Sequence, residues 1–416
     1  MTYRRRTTCR SCQAARLRAI LDLGPMPLAN ALLRTREQFA GEKRWPLQLA
    51  LCEACGLVQT PDVVDRGVLF GSYPYLSGVS HAMAEHFHVL ARRVIERLGL
   101  VPGDRVVEIG SNDGTLLEFF GREGVRTLGI EPAANAAERA RRRGVETITR
   151  FFDAAAAEAL LREHGGARVV VASNVLAHVD APVEFLVGCR TLVEGSGAGA
   201  AVVVEVPWLG DLLDRLAYDT IYHEHLCVFS VASLARIFAE AGLVLDHVER
   251  VPVHGGSLRV WASPRRAPRT HAPAVLEWID RERDAGLWDP TRLARFASDV
   301  EKARRDLREL LVSLRAQGST IAACGAPAKG AVLLNACRIG PELVEFAVDK
   351  NPLKVGSWMP GMHVPILPLA ALDERRPDYA LLLAWNLEEE MRVQHRDWLA
   401  RGGRFIVPIP RPEVAA

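Results

Sequence analysis

The stretch "RVVEIGSNDG", residues 105–114, decides the fold. A short apolar run, Val106–Ile109, carries one acid, Glu108, and ends in a turn with glycines at 110 and 114. The following "TLLEFFGREG" has helical periodicity, so the order is strand, turn, helix. Glycines in such a turn let the backbone approach a ligand closely, and a helix start follows it. About twenty residues on, "RTLGIEP" reads as a second strand ending in Glu131, where a doubly wound sheet places an acid for ribose hydroxyls.

The turn also selects the ligand. A dinucleotide site predicts G-x-G-x-x-G. Here Asp113 lies inside the turn and would repel a pyrophosphate. S-adenosylmethionine (SAM) carries a sulfonium and an ammonium and no phosphate, and E-x-G-x-x-x-G resembles the methyltransferase version of the turn. The expected SAM contacts are Glu108, Gly110, Ser111, Asn112, Asp113, Gly114, Thr115 and Leu116, then Glu131 and Pro132, with Phe151 or Phe152 flanking the adenine and Asn174 at the end of a later strand. "ARVVVASNVLAHV", "AAVVVEVPWL" and "VLDHVERVPVHGGSLRVWAS" continue the sheet, the last as a hairpin around Gly255-Gly256. Ser230 is placed to cap a helix beginning in "FSVASLARIF".

Upstream, Cys9 and Cys12 in "CRSC" and Cys52 and Cys55 in "CEACG" form two C-x-x-C knuckles. That pattern predicts one structural Zn²⁺ held by four thiolates with no open position. Downstream, "PRRAPRTHAP" (264–273) reads as a linker and residues 290–316 as a long helix. "TIAACGAPAKGAVLLNAC" is again strand, Gly-rich turn and helix, and "VEFAVDKNPLKVG" ends a second strand at Asp349. This turn holds Gly325 and Lys329 and no acid, a combination that suits a phosphate.

The 416 residues are 49% hydrophobic, with a formal net charge of only +2. The length suits several cores, and the charge argues against nucleic acid or an anionic membrane as partner. No run of about 18 apolar residues is present and no secretory pattern is visible, so a cytoplasmic location is expected. The predicted architecture is α/β with three parts: a zinc-binding module (1–70), a Rossmann-like SAM methyltransferase domain (71–265) and a smaller Rossmann-like α/β domain that binds a nucleotide sugar (266–416).

Three blocks in fixed order, CRSC…CEACG, EIGSNDGTLLEFF and CGAPAKG…VDKNPLKVG…MPG, resemble the sugar C-methyltransferases of antibiotic deoxysugar pathways over nearly the whole chain. "YPYLSGVS", "SNVLAHV" and "YHEHLCVFS" resemble further motifs of that family. The resemblance implies SAM-dependent methyl transfer to carbon of a dTDP-linked 4-keto-6-deoxysugar, usually at C3 and in some relatives at C5. It implies a catalytic set of Tyr75, His178, Tyr222, Glu224 and His225, with His225 as base. Tyr73, Ser77, Gly325, Lys329 and Lys354 are the expected substrate contacts, and a monomer is expected. The chemistry agrees: a ketone acidifies the adjacent C–H, histidine has a suitable pKa to remove that proton, and a phenol or imidazole can donate to the enolate oxygen. An O- or N-methyltransferase would need less of this equipment, and a passive binding protein none. His-Glu-His is not the H-E-x-x-H of a helical zinc site. In an extended or turn conformation, 223 and 225 would share one side and 222 and 224 the other.

Overall fold

A computed structural model of the chain describes residues 2–197, 199–265 and 270–415. The core of the expected linker, 266–269, lies outside the described residues. In the first part, β1 (Tyr3–Arg5), β2 (Leu17–Met26), β3 (Trp45–Cys52), β4 (Val58–Gln59) and β5 (Asp62–Val64) pair antiparallel, β1 with β5 and β3 with β2 and β4. The central part contributes β6 (Arg105–Ile109), β7 (Arg126–Ile130), β8 (Thr147–Ile148), β9 (Val169–Ser173) and β10 (Ala201–Pro207), then β11 (Cys227–Val228), β12 (Leu243–Val251) and β13 (Ser257–Pro264). The last part holds β14 (Ile321–Cys324), β15 (Ala347–Val348), β16 (Ile366–Leu367), β17 (Tyr379–Leu382), β18 (Arg404–Val407) and β19 (Glu413–Val414).

The central sheet has the order β12-β13-β10-β9-β6-β7-β8. Its strands are parallel from β10 through β8, and the hairpin β12–β13 closes the other edge antiparallel to β10. Helices cover both faces of the parallel part, so β6, β9 and β10 are near-continuous apolar runs instead of alternating ones. Behind β6, the helix His81–Leu98 packs Leu90 and Val94 against Leu116, Leu117 and Phe120 of the helix Thr115–Arg122. Ser80 caps the first of these helices and Gly99 ends it in the left-handed conformation. Ser230 accepts from the Ser233 amide and caps Val231–Glu240. The C-terminal sheet, β16-β15-β14-β17-β18-β19, is parallel apart from its last pair.

The parts are not separate beads. β11, from the middle of the chain, pairs antiparallel with β4 and completes the sheet β11-β4-β3-β2 of the N-terminal module. One continuous core joins Leu21, Leu47 and Leu49 of that sheet, Leu212 to Ile221 of the central part, and the helices Pro290–Ala316 and Ala328–Cys337 of the C-terminal part. The helix Pro273–Asp284 packs Val275, Trp278 and Ile279 on the central core. Among the described residues no helix is long and apolar enough to cross a membrane.

Gly110 leaves β6 at φ +70°, and a β-carbon there would lie 2.5 Å from Val175 Cγ2. Gly110→Ala is expected to lose about 1–3 kcal/mol, from overpacking and a left-handed alanine. Denaturant melts check this, and a variant within a few tenths of wild type would contradict it.

Candidate functional site

Residues 222–225 form a turn, closed by His225 N donating to Tyr222 O at 2.8 Å. This overturns the alternation expected for an extended or turn segment, because this turn brings its first and fourth residues together. The Tyr222 and His225 rings lie 4.0 Å apart, with the Tyr222 hydroxyl 2.8 Å from His225 Nε2. On the other side of the ring, His225 Nδ1 lies 2.7 Å from the Thr220 carbonyl. A carbonyl only accepts, so Nδ1 carries the proton and Nε2 presents its lone pair to the Tyr222 O–H. Burial lowers the His225 pKa to about 4, opposed by the Thr220 bond and reinforced by the charge of Lys329. The imidazole is therefore neutral at ordinary pH. His178, just past β9, stacks on it at 5.1 Å and is itself stacked by Phe70 at 5.4 Å.

Glu224 does not face His225. Its carboxylate accepts from the Tyr73 hydroxyl at 2.7 Å and from Asn30 Nδ2 at 2.8 Å. Burial raises its pKa to about 7 against those two bonds. His223 is buried and turned the other way, with Nε2 donating to the Pro46 carbonyl at 3.1 Å and its ring at the edge of Trp45. It is a tie to the N-terminal module. Thr60 completes that tie, donating its hydroxyl to His225 O and its amide to Leu226 O, while Leu226 N donates to Ala177 O beside His178.

The segment before the first long helix lies across the SAM turn. Asn112 Nδ2 donates to Tyr75 O, Ser77 N to Asn112 Oδ1, and Gly78 N to Asp113 Oδ2. Ser77, expected to meet substrate, is thus buried against the turn. Tyr75 is buried enough to push its pKa up to about 12. Asp113 is not a bare charge inside the turn either. Its oxygens take the Thr115 hydroxyl and the Gly78 amide, and Arg143 stands 3.5 Å away. Glu131 accepts from the Asn112 and Ala133 amides. Glu108 is buried with Oε2 unpartnered, as is the Ser111 hydroxyl. Burial, then Glu131, Asp113 and Glu205, hold the Glu108 carboxyl well above the usual range. Unfilled acceptors among crowded carboxylates fit a ligand that brings a cation and hydroxyls, as SAM does. Asn174, at φ +57°, follows β9 with its amide on Glu205 O, and Pro132 follows Glu131. The Leu116 and Phe152 side chains lie elsewhere: Leu116 is in the core behind β6, and Phe152 packs edge-on against Phe185 at 5.3 Å. The aromatic cover expected from Phe152 is absent because its ring fills the space beside Gly188.

The phosphate reading of the C-terminal turn is corrected more fully. The Ala326 amide donates to Asp349 Oδ2, and Lys354 is buried with Nζ on Ala326 O at 2.9 Å and 3.5 Å from Asp349. The acid at the end of β15 therefore fills the turn, as Glu131 does in the central domain. Gly325, at φ +81°, lies against Ala384. Lys329 is held by the loop after β17, with Nζ 2.9 Å from Asn386 Oδ1 and 4.6 Å from the Trp385 ring centre.

The four cysteine sulfurs lie within 4.8 Å of one another, with Cys9–Cys55 and Cys12–Cys52 each at 3.5 Å. A tetrahedral zinc at about 2.3 Å from each sulfur requires sulfurs about 3.8 Å apart, so the set fits Zn²⁺. Gln59 Nε2 and Ser11 N donate to Cys9 Sγ, as thiolate ligation favours.

Sequence reasoning missed Asn30, Thr60, Phe70 and Thr220. Asn30 stands alone as a polar residue in "PMPLANALL". The others carry no local signal.

A SAM-type turn with unfilled acidic acceptors, joined to a four-thiolate module, defines the class: a zinc-bearing SAM-dependent methyltransferase. Residues 9–70 match the family described as "Putative zinc binding domain", 83–248 "Methyltransferase domain" and 252–410 "C-methyltransferase C-terminal domain". The chain is 39% identical over 406 residues to C-methyltransferase NovU of Streptomyces niveus, covering 98% of this chain and 96% of that one. It belongs to this family of C-methyltransferases. A partial likeness, 29% over 168 residues, joins 37% of the chain to 70% of a ubiquinone biosynthesis O-methyltransferase of Burkholderia pseudomallei.

Two expectations follow from this geometry. Because Asn30, Pro46 and Thr60 of the zinc module hold the 222–225 turn, Cys12→Ser should lower zinc content and melting temperature, and also turnover per folded chain, by about 10²-fold. Zinc loss with turnover per folded chain intact would contradict the coupling. The second concerns pH. Folded Glu224 keeps its proton up to about 7, so it destabilises the fold progressively as pH rises from 4.5 to 7. His225 acts oppositely, since the unfolded chain takes up its proton below 6.5 and the folded one only near 4. Glu224→Gln removes the first effect alone. Its melting temperature should therefore gain on wild type as pH rises across 4.5–7; a pH-independent difference would contradict this.

Proposed function

We propose that the enzyme transfers a methyl group from SAM to a carbon next to the ketone of a dTDP-linked 4-keto-6-deoxysugar, at C3. The observation that carries this reading is the His225 ring itself, with its proton fixed on Nδ1 by Thr220 and its Nε2 lone pair directed at the Tyr222 hydroxyl. A hydroxyl or amine acceptor already carries a lone pair and needs no donor for an enolate oxygen, whereas a base paired with a phenol supplies both parts that carbon requires.

Bound SAM supplies an electrophilic methyl group. Glu108, Ser111 and Glu131 would hold it, at the end of β6 and β7, with the Tyr75–Gly78 segment across the turn. His225 Nε2 takes the proton from the sugar carbon beside the ketone. The Tyr222 hydroxyl turns away from Nε2 to admit that proton, and becomes a donor for the enolate oxygen. The Thr220 carbonyl supports the imidazolium once it forms. Glu224, with Tyr73 and Asn30 fixed on it, offers a half-ionised carboxyl near neutral pH for a sugar hydroxyl. His178 packs on the base and keeps its plane.

Incubation with SAM and a dTDP-4-keto-6-deoxysugar should add the mass of one CH₂ group, and NMR should place it at C3. A product methylated at C5 or on oxygen would overturn the position or the reaction type. His225→Asn should lower turnover by about 10²–10⁴-fold while SAM still binds by calorimetry. Turnover near wild type would remove His225 as base.

A further inference from the structure

The reaction proposed above leaves a negative charge on the ketone oxygen in a site with little water, where a fixed charged donor is worth most. Tyr222 is one neutral donor. A cation stands on the same side of the molecule. Lys329 opens the helix Ala328–Cys337, and Tyr222 packs beside Ala331, Val332 and Asn335 of that helix. The Lys329 ammonium rests over Trp385, whose indole N–H donates to Asp219 Oδ2 at 2.7 Å. Asp219 immediately precedes Thr220, whose carbonyl holds His225 Nδ1. Asn386 takes one of the three ammonium N–H groups, and among the described residues no carboxylate lies within 4 Å of the nitrogen. Asp219 is the nearest acid to influence it, and its own Oδ1 is buried without a partner. The ammonium is thus half-buried, carried on a ring and an amide, and short of an anion. His225 feels its charge.

We propose that Lys329 is a further catalytic residue: its ammonium contacts the ketone oxygen of the substrate and holds that oxygen as the enolate forms. This rests on the C-methylation reading above. The balance is simple. The carbon-bound proton goes to His225 Nε2, the C–H electron pair becomes the C=C bond, and the carbonyl π pair moves onto the oxygen facing Lys329. That oxygen then returns its pair to re-form C=O as the C–CH₃ bond forms and the methyl–sulfur bond breaks, its electrons staying on sulfur. Burial weakens the base first, and the nearby ammonium adds to it. With the site empty, an imidazolium would face an uncompensated ammonium; with an enolate between them, the charges alternate.

The test uses the zinc-loaded full chain and dTDP-4-keto-6-deoxyglucose in deuterated water, with and without SAM. Deuterium entry beside the ketone and methylated product are followed by NMR. Lys329→Met should slow both by about 10²–10³-fold, with KM for the sugar, SAM binding and zinc content little changed. It should also move the acidic limb of the pH profile upward, since His225 loses a repelling charge. Lys329→Gln, which keeps a polar tip for Asn386, is read in the same way where the methionine variant does not fold. A raised KM with unchanged kcat would instead make Lys329 a holder of the diphosphate and overturn the proposal, as would unchanged rates. Wild-type enzyme that neither exchanges nor methylates this ketone would fail the C-methylation reading itself. Exchange by wild type and by both variants at equal rates would fail Lys329 alone.

Discussion

The hydrogen bond between His225 Nδ1 and the Thr220 carbonyl is short, buried and local, and the site is arranged around it. It assigns the tautomer, because a carbonyl cannot donate. That leaves one lone pair, on Nε2, and the turn that forms the bond also delivers Tyr222 to it. The ring is further clamped by His178 and, through His178, by Phe70. With so many contacts the imidazole has no second orientation to adopt, and burial keeps it neutral.

That turn belongs to no single domain. It leaves the 3₁₀ segment Tyr218–Thr220, which packs on the C-terminal helix Ala328–Cys337, and runs directly into β11, a strand of the zinc module's sheet. Asn30, Pro46 and Thr60 hold it from one side, Ala177 from another, and Tyr73 from the segment that crosses the SAM turn. The same segment reaches the C-terminal domain, where Asn351 Nδ2 donates to Pro74 O. The zinc module is therefore more than a cap on the N-terminus. Four thiolates fix the end of β3 against the first knuckle, and the sheet so fixed carries the residues that place Glu224 and His225. Its removal should disturb the chemistry as well as the fold, although the metal itself takes no part in it.

The two Gly-rich turns show the same physics with different outcomes. In each, an acid at the end of the next strand accepts a turn amide: Glu131 from Asn112 and Asp349 from Ala326. In the central domain buried acceptors are left over, on Glu108 and Ser111. In the C-terminal domain Lys354 closes the turn from inside. One turn remains receptive to a cationic ligand and the other is a structural joint.

Much of the architecture was legible in the chain alone. The zinc module follows from cysteine spacing, since two C-x-x-C knuckles have few other uses. The SAM turn follows from glycine positions and the spaced acid, and the helices and strands around it from apolar period. These signals are local, and local periodicity survives in one dimension. What the sequence could not determine was direction: that Tyr222 meets His225 while Glu224 turns to Asn30, 194 positions away; that Phe152 fills the core; that Lys354 is internal while Lys329 rests on Trp385. Each depends on which distant backbone supplies an acceptor or a packing surface. The residue types needed for carbon methylation were therefore set by the sequence, and their pairing by the tertiary contacts of three domains around one four-residue turn.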